Sequence, residues 1–222
     1  MSIIKIENLT FSYPTSFDTV FENANFQIDT DWKLGVVGRN GRGKTTLLQL
    51  LLGCYEYSGK ILSSVPFLYF PYTVLDKSCQ TETVLLEICP RAEGWKLLRE
   101  LSYLEVCDEV LHRPFNTLSN GEQTKVLLAA LFCSEGHFLL IDEPTNHLDL
   151  EARKIVAKYL NRKNGFILVS HDRRFLDVCA DHILSLNKTE IVVQSGNFSS
   201  WEENFQRQKE FEQGQHRRRQ KE

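Results

Sequence analysis

No apolar run in these 222 residues approaches the about 20 needed to cross a bilayer. Nor does Met1-Ser2-Ile3-Ile4-Lys5 have the charged-then-apolar layout of a secretion signal. The six cysteines (Cys54, Cys79, Cys89, Cys107, Cys133, Cys179) form no C-x-x-C pair. A zinc cage or disulfide framework is therefore not expected, and the thiols read as free in a reducing compartment, the cytosol. The chain also lacks a dominant charge: its formal net charge is -3, which excludes the global basic field of a dedicated nucleic-acid binder. A local basic patch stands only in the tail, at Arg217, Arg218 and Arg219. No internal repeat is evident. What remains is an ordinary globular composition, 42% hydrophobic and 25% charged, long enough to bury a sizeable core in one large domain or a domain with a lobe.

Ile3 to Leu9 reads as a strand, closed by the turn-prone Tyr13-Pro14-Thr15-Ser16. A second strand runs from Ala24 to Ile28. Lys33 to Val37 is a short buried strand entering a glycine-rich loop, and Leu47, Leu48, Leu50, Leu51 and Leu52 follow at helical spacing up to Gly53. About Thr81 to Leu111 the periodicity is helical, with Pro90 and Gly94 as breaks, so a helical lobe of about 79–132 is expected inside a sheet domain. A helix over Asn120–Phe132 and an apolar strand, Phe138-Leu139-Leu140-Ile141, come next; such a strand is usually buried on both faces under helices. The pattern repeats with helix Leu150–Leu160 and strand Phe166–Val169. Ile183–Leu186 and Ile191–Val193 then read as a hairpin. Alternating strands and helices predict an α/β fold. The expected domain is 1–200, and 201–222 reads as a charged helix or the start of a linker.

Gly38-Arg39-Asn40-Gly41-Arg42-Gly43-Lys44-Thr45 satisfies G-x-x-x-x-G-K-[ST] between a strand and a helix. The glycines let the backbone curl so that successive N–H groups face phosphate oxygens. Lys44 adds charge, the Thr45 hydroxyl can ligate Mg²⁺, and the helix start adds its positive dipole end. Asp142 and Glu143 end the apolar strand, where one carboxylate can hold Mg²⁺ and the next can activate water. Alone, a strand running out into solvent would look the same; with the phosphate loop the pair gains meaning. Leu118-Ser119-Asn120-Gly121-Glu122 enters a helix with Ser119 or Asn120 as cap. It reads either as a cap alone or as a second phosphate-binding helix start.

Phosphate loop, Leu-Ser-x-Gly-Glu, Asp-Glu-Pro-Thr-Asn-His-Leu-Asp and Ser170-His171-Asp172, in this order, resemble the ABC ATPase superfamily. The resemblance implies a P-loop NTPase with a RecA-like parallel core, an antiparallel β subdomain and a short helical subdomain, using ATP and Mg²⁺. It implies nucleotide contacts from Gly38, Asn40, Gly41, Gly43, Lys44, Thr45 and Thr46, and metal contacts from Thr45 and Asp142. Glu143 would be the catalytic base and His171 the switch histidine, a position where a satisfied core histidine is the bland alternative. Ser119, Asn120, Gly121 and Glu122 would be the signature that acts on a partner's ATP, and Asp149 the D-loop residue. Tyr13 would stack on adenine, or else it is a packed turn aromatic.

The string Glu143-Pro144-Thr145-Asn146-His147-Leu148-Asp149 resembles the ABC-F branch, as do the Arg39–Arg42 loop and Gly196–Trp201 before the charged tail. Members of that branch are soluble, carry two cassettes and act on the ribosome. Tyr69-Phe70-Pro71-Tyr72 and Ile28–Lys33 look most like the antibiotic-resistance, ribosome-protection members. Tyr72 stands where most cassettes have a metal-contacting glutamine. By this resemblance the chain is a cytoplasmic ATPase, weak or inactive until a second cassette joins it. That cassette would come from the same longer chain or from a second copy in a homodimer, with the ribosome and its RNA as a partner of the longer protein. The rivals are the ATPase subunit of a membrane transporter and a nucleotide-dependent regulatory module with little turnover.

Overall fold

The computed structural model describes residues 2–14, 18–38, 41, 43–187 and 191–219, with side chains through residue 211. Three strands, β1 (Ile3–Ser12), β2 (Thr19–Asp29) and β4 (Ser58–Leu62), form an antiparallel sheet in the order β2-β1-β4. A six-stranded sheet holds β3 (Lys33–Gly38), β5 (Phe67–Phe70), β6 (Phe138–Asp142), β7 (Phe166–Val169), β8 (His182–Leu186) and β9 (Ile191–Ser195). Its order is β5-β6-β7-β3-β8-β9, parallel throughout except for the antiparallel pair β8–β9.

The central strands are apolar through their middles because both faces are covered. Leu34, Val36, Leu140, Ile167, Val169 and Leu184 point to one core, which they share with Ile4, Ile6, Phe26 and Ile28 of the antiparallel sheet. Helix α1 (Lys44–Leu51) lies in this layer through Leu47, Leu48, Leu50 and Leu51. Val37, Leu139, Ile141, Leu168 and Ile183 alternate to the other face. There they meet α2 (Thr81–Ile88), α3 (Gly94–Tyr103), α4 (Asn120–Cys133), α5 (Leu150–Asn161) and α6 (Arg173–Cys179). Helix α4 is central to that layer: Val126 to Leu131 are buried without a break.

Several expectations shift in detail. The second strand begins at Thr19 rather than Ala24, since Phe21 is buried in the same core. Gly94 opens α3 instead of ending a helix, and Asp108–His112 is a 3-10 turn. Three elements without a sequence expectation, β4, β5 and α6, complete the fold.

Helix α7 (Phe198–Arg219) starts three residues before the charged segment expected from Trp201. Its first turn is docked: Phe198 is buried, Ser199 N–H donates to Asp177 Oδ1 at 2.7 Å, and Arg173 pairs with Glu202 at 2.8 Å. Trp201 stacks on Phe205 at 5.3 Å. From Glu203 to Phe211 every residue is exposed.

Candidate nucleotide site

Three adjacent strands, β6, β7 and β3, end side by side, with Asp142 in register with Val169 and Val36 beside Val169. Their C-terminal ends carry Asp142-Glu143, Ser170-His171 and Gly38. This is the edge at which open α/β sheets present ligands.

The phosphate loop leaves β3 at Gly38. Gly41 and Gly43 take φ of 75° and 89°, a left-handed conformation that side chains resist. Gly43 has a second constraint: a Cβ there would lie 2.5 Å from Val20 Cγ1 and 3.0 Å from Phe21 Cζ. Gly43 caps α1, and its carbonyl accepts from Leu47 N–H at 2.8 Å. Lys44 Nζ donates to the Gly38 carbonyl at 2.9 Å, across the loop. Thr45 is exposed, whereas Thr46 is buried. Arg39, Asn40 and Arg42 lie outside the described residues, so the nucleotide contact expected of Asn40 has no structural counterpart here.

Tyr13 reaches this loop. Its hydroxyl is 2.7 Å from Thr46 Oγ1, and its ring stands edge-on to Phe11 and Tyr55 at 5.0 and 5.6 Å. The packed arrangement and the place beside the phosphate loop hold together: the ring is both anchored and adjacent to the helix start.

Asp142 is buried at the end of β6 and accepts a hydrogen bond from the Tyr69 hydroxyl at 3.1 Å on Oδ2. Burial and the adjacent carboxylate push the Tyr69 phenol well above its ordinary value, so it stays a donor. Glu143 follows at φ 49°, its N–H donating to the Val169 carbonyl at 2.8 Å. His171 N–H donates to Glu143 Oε2 at 3.1 Å, and His171 Nε2 lies 3.2 Å from Oε1 without the alignment of a hydrogen bond. Desolvation raises the Glu143 pKa above its ordinary 4.5; the His171 backbone N–H, the His171 charge and Lys44 oppose it, and Asp142 adds to it. That Lys44 acts on Glu143 brings the two sides of the loop into one field.

Asp142 Oδ1 and Glu143 Oε1 are buried with no hydrogen-bond partner among the described residues. Two orphaned carboxylate oxygens on consecutive residues suit a hard cation. Among the described residues no group of three or more His, Cys, Asp and Glu could hold a metal unaided. Mg²⁺ sites are commonly built from one or two carboxylates together with substrate phosphate.

The signature residues sit elsewhere. Ser119 caps α4 in a capping box: its Oγ accepts from Glu122 N–H at 3.2 Å, and Glu122 Oε2 accepts from Ser119 N–H at 2.8 Å. The Ser119 backbone N–H, more than any other group, holds the Glu122 carboxyl below its usual range. Helix α4 belongs to the core on the face of the sheet opposite α1. The structure therefore brings Lys44, Asp142, Glu143 and His171 together and leaves Ser119, Asn120, Gly121 and Glu122 in the helical layer.

Asp149 caps α5, its Oδ1 accepting from Ala152 N–H at 2.7 Å. Arg153, which carried no expectation, ties this loop to the one that follows β7. Its Nε donates to the Leu148 carbonyl at 3.0 Å, and its guanidinium lies 3.5 Å from Asp172, the cap of α6. Tyr72 packs against the helical core and supplies no amide to the metal side. Tyr69 and Arg153 escaped sequence reasoning because each acts through a contact distant in the chain or between two loops.

The sequence model of the ABC transporter family matches residues 21–146. The chain is 30% identical over 211 residues to ABC transporter F family member 3 of Arabidopsis thaliana, covering 92% of this chain and 29% of that protein. It is 32% identical over 201 residues to the ribosome protection protein VmlR of Bacillus subtilis (strain 168), covering 90% of this chain and 34% of that protein. The chain thus spans about a third of the length of the curated relatives it matches. A solved ATP-binding subunit of an ABC transporter superposes with a TM-score of 0.72 at 21% identity, covering 87% of this chain and 90% of that one, a likeness of fold. The matched stretch contains the phosphate loop, the signature and the Asp142–Glu143 pair, and the chain belongs to the ABC transporter family of ATP-binding cassettes.

Proposed function

We propose that this chain is the ATP-binding and ATP-hydrolysing cassette of a cytoplasmic ABC-F protein that acts on the ribosome, in antibiotic resistance by ribosome protection. The observation that carries the catalytic part is the shared strand edge, where Lys44, Asp142, Glu143 and His171 converge around two buried, unpartnered carboxylate oxygens.

ATP would lie with its phosphates in the Gly38–Thr45 loop, where Gly41, Gly43 and Lys44 present N–H groups and an ammonium, and Thr46 closes the start of α1. Asn40 belongs to the same loop by sequence, and Tyr13 beside Thr46 would stack on the adenine. Bound Mg²⁺ would neutralise charge on the phosphate oxygens, with Thr45 and Asp142 as its protein ligands. Glu143, with its raised pKa, would take the proton of the attacking water. His171, joined to Glu143 through its own backbone N–H, would orient both the base and the γ-phosphate.

A second cassette completes this reading. The phosphate-loop helix α1 and the signature helix α4 belong to cores on opposite faces of one sheet. Ser119, Asn120, Gly121 and Glu122 would close over the ATP of a partner cassette, with Asp149 at the junction. Residues 1–200 would be the cassette, with the helical lobe at about 79–132. Residues 201–222, whose described side chains from 203 to 211 are exposed, would begin the connection to the second cassette.

The ribosomal part rests on similarity to a ribosome protection protein and to F-family members, and on the Pro144–Asp149 string. Among the described residues no helix is long and apolar enough to cross a membrane. The test uses a protein holding this chain and a second cassette. Glu143→Gln should bind ATP, lose turnover and co-sediment with ribosomes in ATP; recovery with membranes instead would point to a transporter subunit, and unchanged turnover would remove Glu143 from the role of base.

A further inference from the structure

Tyr69 lies on β5, in register with Leu140 of the neighbouring β6. Its hydroxyl donates to Asp142 Oδ2 at 3.1 Å, and the Gln49 side chain of α1 lies close enough to act on it. Three elements therefore converge on one carboxylate: β5 supplies the donor, α1 supports the donor, and β6 carries the acid.

The consequence concerns the two oxygens of Asp142 separately. Oδ2 is held, whereas Oδ1 is buried and has no partner among the described residues. A carboxylate with one oxygen fixed has its plane fixed, and only the other oxygen is left free for a ligand. Hydrogen bonds that orient a ligating carboxylate govern metal affinity as the ligand itself does. The ring of Tyr69 is part of the core shared by α1 and the sheet, so the hydroxyl is held from behind by packing.

We propose that Tyr69, supported by Gln49, is the positioning residue of the metal site, holding Asp142 so that Oδ1 alone is presented to the divalent cation that accompanies ATP. This rests on the reading of the strand edge as an ATP site.

The test is calorimetric titration of ATP into the full chain, with Mg²⁺ and with EDTA, for the wild type, Tyr69→Phe and Gln49→Leu. A hydrogen bond to a charged group is worth about 1.5–3 kcal/mol, so Tyr69→Phe should cut the affinity gained from Mg²⁺ by about tenfold or more. Affinity in EDTA should stay within about twofold, because a metal-independent contact to ATP is not removed. Gln49→Leu should shift the Mg²⁺-dependent affinity in the same direction by less. Equal losses with and without Mg²⁺, or no loss in either, would overturn the proposal. A Tyr69→Phe protein that fails to fold would do so too, since the hydroxyl would then be serving the core. A wild-type chain that binds no ATP in either condition would instead remove the ATP reading of the whole edge.

Discussion

Glu143 and His171 meet twice: the His171 backbone N–H donates to Glu143 Oε2 at 3.1 Å, while its ring Nε2 lies 3.2 Å from Oε1. The pair stands on strained backbone. Glu143 has φ 49°, a conformation costing about 1 kcal/mol or more for a side chain of this kind, and its N–H bond to Val169 holds it there. Such strain, next to two unpartnered oxygens, marks a place shaped for a ligand more than for stability.

The raised pKa of Glu143 therefore has a sign that can be checked. The folded protein binds this proton more tightly than the unfolded chain, so the group favours folding below pH 4.5 and loses that contribution as pH rises through its folded pKa. Glu143→Gln should consequently melt about 2 °C or more above the wild type at pH 7 to 8, with the gap closing as pH falls below 4.5. Calorimetry at the two pH values measures it. In a two-cassette protein the same change should lower hydrolysis by about 10²-fold or more, and wild-type turnover should rise with pH along a limb above 4.5. A melting gap that widens at low pH would contradict the assignment.

Gly43 and Gly41 offer a contrast within one loop. Both have positive φ, but a Cβ at Gly43 meets Val20 and Phe21 while one at Gly41 meets nothing within 4 Å. Gly43→Ala should cost about 2–4 kcal/mol through strain and overpacking together, against about 1 kcal/mol for Gly41→Ala. Chemical denaturation of both variants compares them directly. Equal losses would mean that Val20 yields freely.

Which parts of this were legible beforehand follows from burial. Strands β3, β6 and β7 announced themselves because both their faces are covered, leaving unbroken apolar runs. Strand β4 did not: it is an edge strand whose residues are almost all exposed, so no pattern marks it. Helix α6 carries a signal too short to stand out, the cap at Asp172 followed by Phe175, Leu176 and Cys179 at helical spacing. At the site, residue types and their order named the chemistry. The side-by-side order β6-β7-β3 is a property of the folded sheet, and so is the Tyr69–Asp142 bond across 73 residues.

Away from the site, the helical layer is pinned by a buried charge. Glu100 of α3 is almost fully buried and binds Lys163, the Tyr159 hydroxyl at 2.7 Å and Arg99 at 3.2 Å. Desolvation works to raise its pKa, yet the Lys163, Tyr159 and Arg99 contacts prevail and hold it below 4.5. Its contribution is thus present above pH 4.5 and lost as pH falls through the folded value. Lys163→Met removes the main countercharge and should cost about 3–5 kcal/mol at pH 7. Adding Glu100→Gln should recover part of that loss, because the uncompensated charge is gone. Urea unfolding of the single and double variants measures both. A double variant less stable than Lys163→Met alone would mean that Arg99 and Tyr159 suffice for the carboxylate.

Gly121 separates what the fold requires from what a partner requires. It has no positive φ, and a Cβ there would meet only Leu148 Cδ2, at an ordinary 3.7 Å. Nothing among the described residues demands a glycine at this turn of α4. Alanine is in fact the better helix former, by roughly 0.5–1 kcal/mol. Gly121→Ala should therefore fold as well as the wild type or slightly better, and should bind ATP unchanged as a single cassette. In a two-cassette protein the added methyl would stand where the partner's phosphate approaches the start of α4, so turnover should fall by about tenfold or more. Melting, ATP titration and turnover, measured on the same variant, divide the outcomes. Lost stability would return Gly121 to the fold, and full turnover would remove the start of α4 from the partner's site.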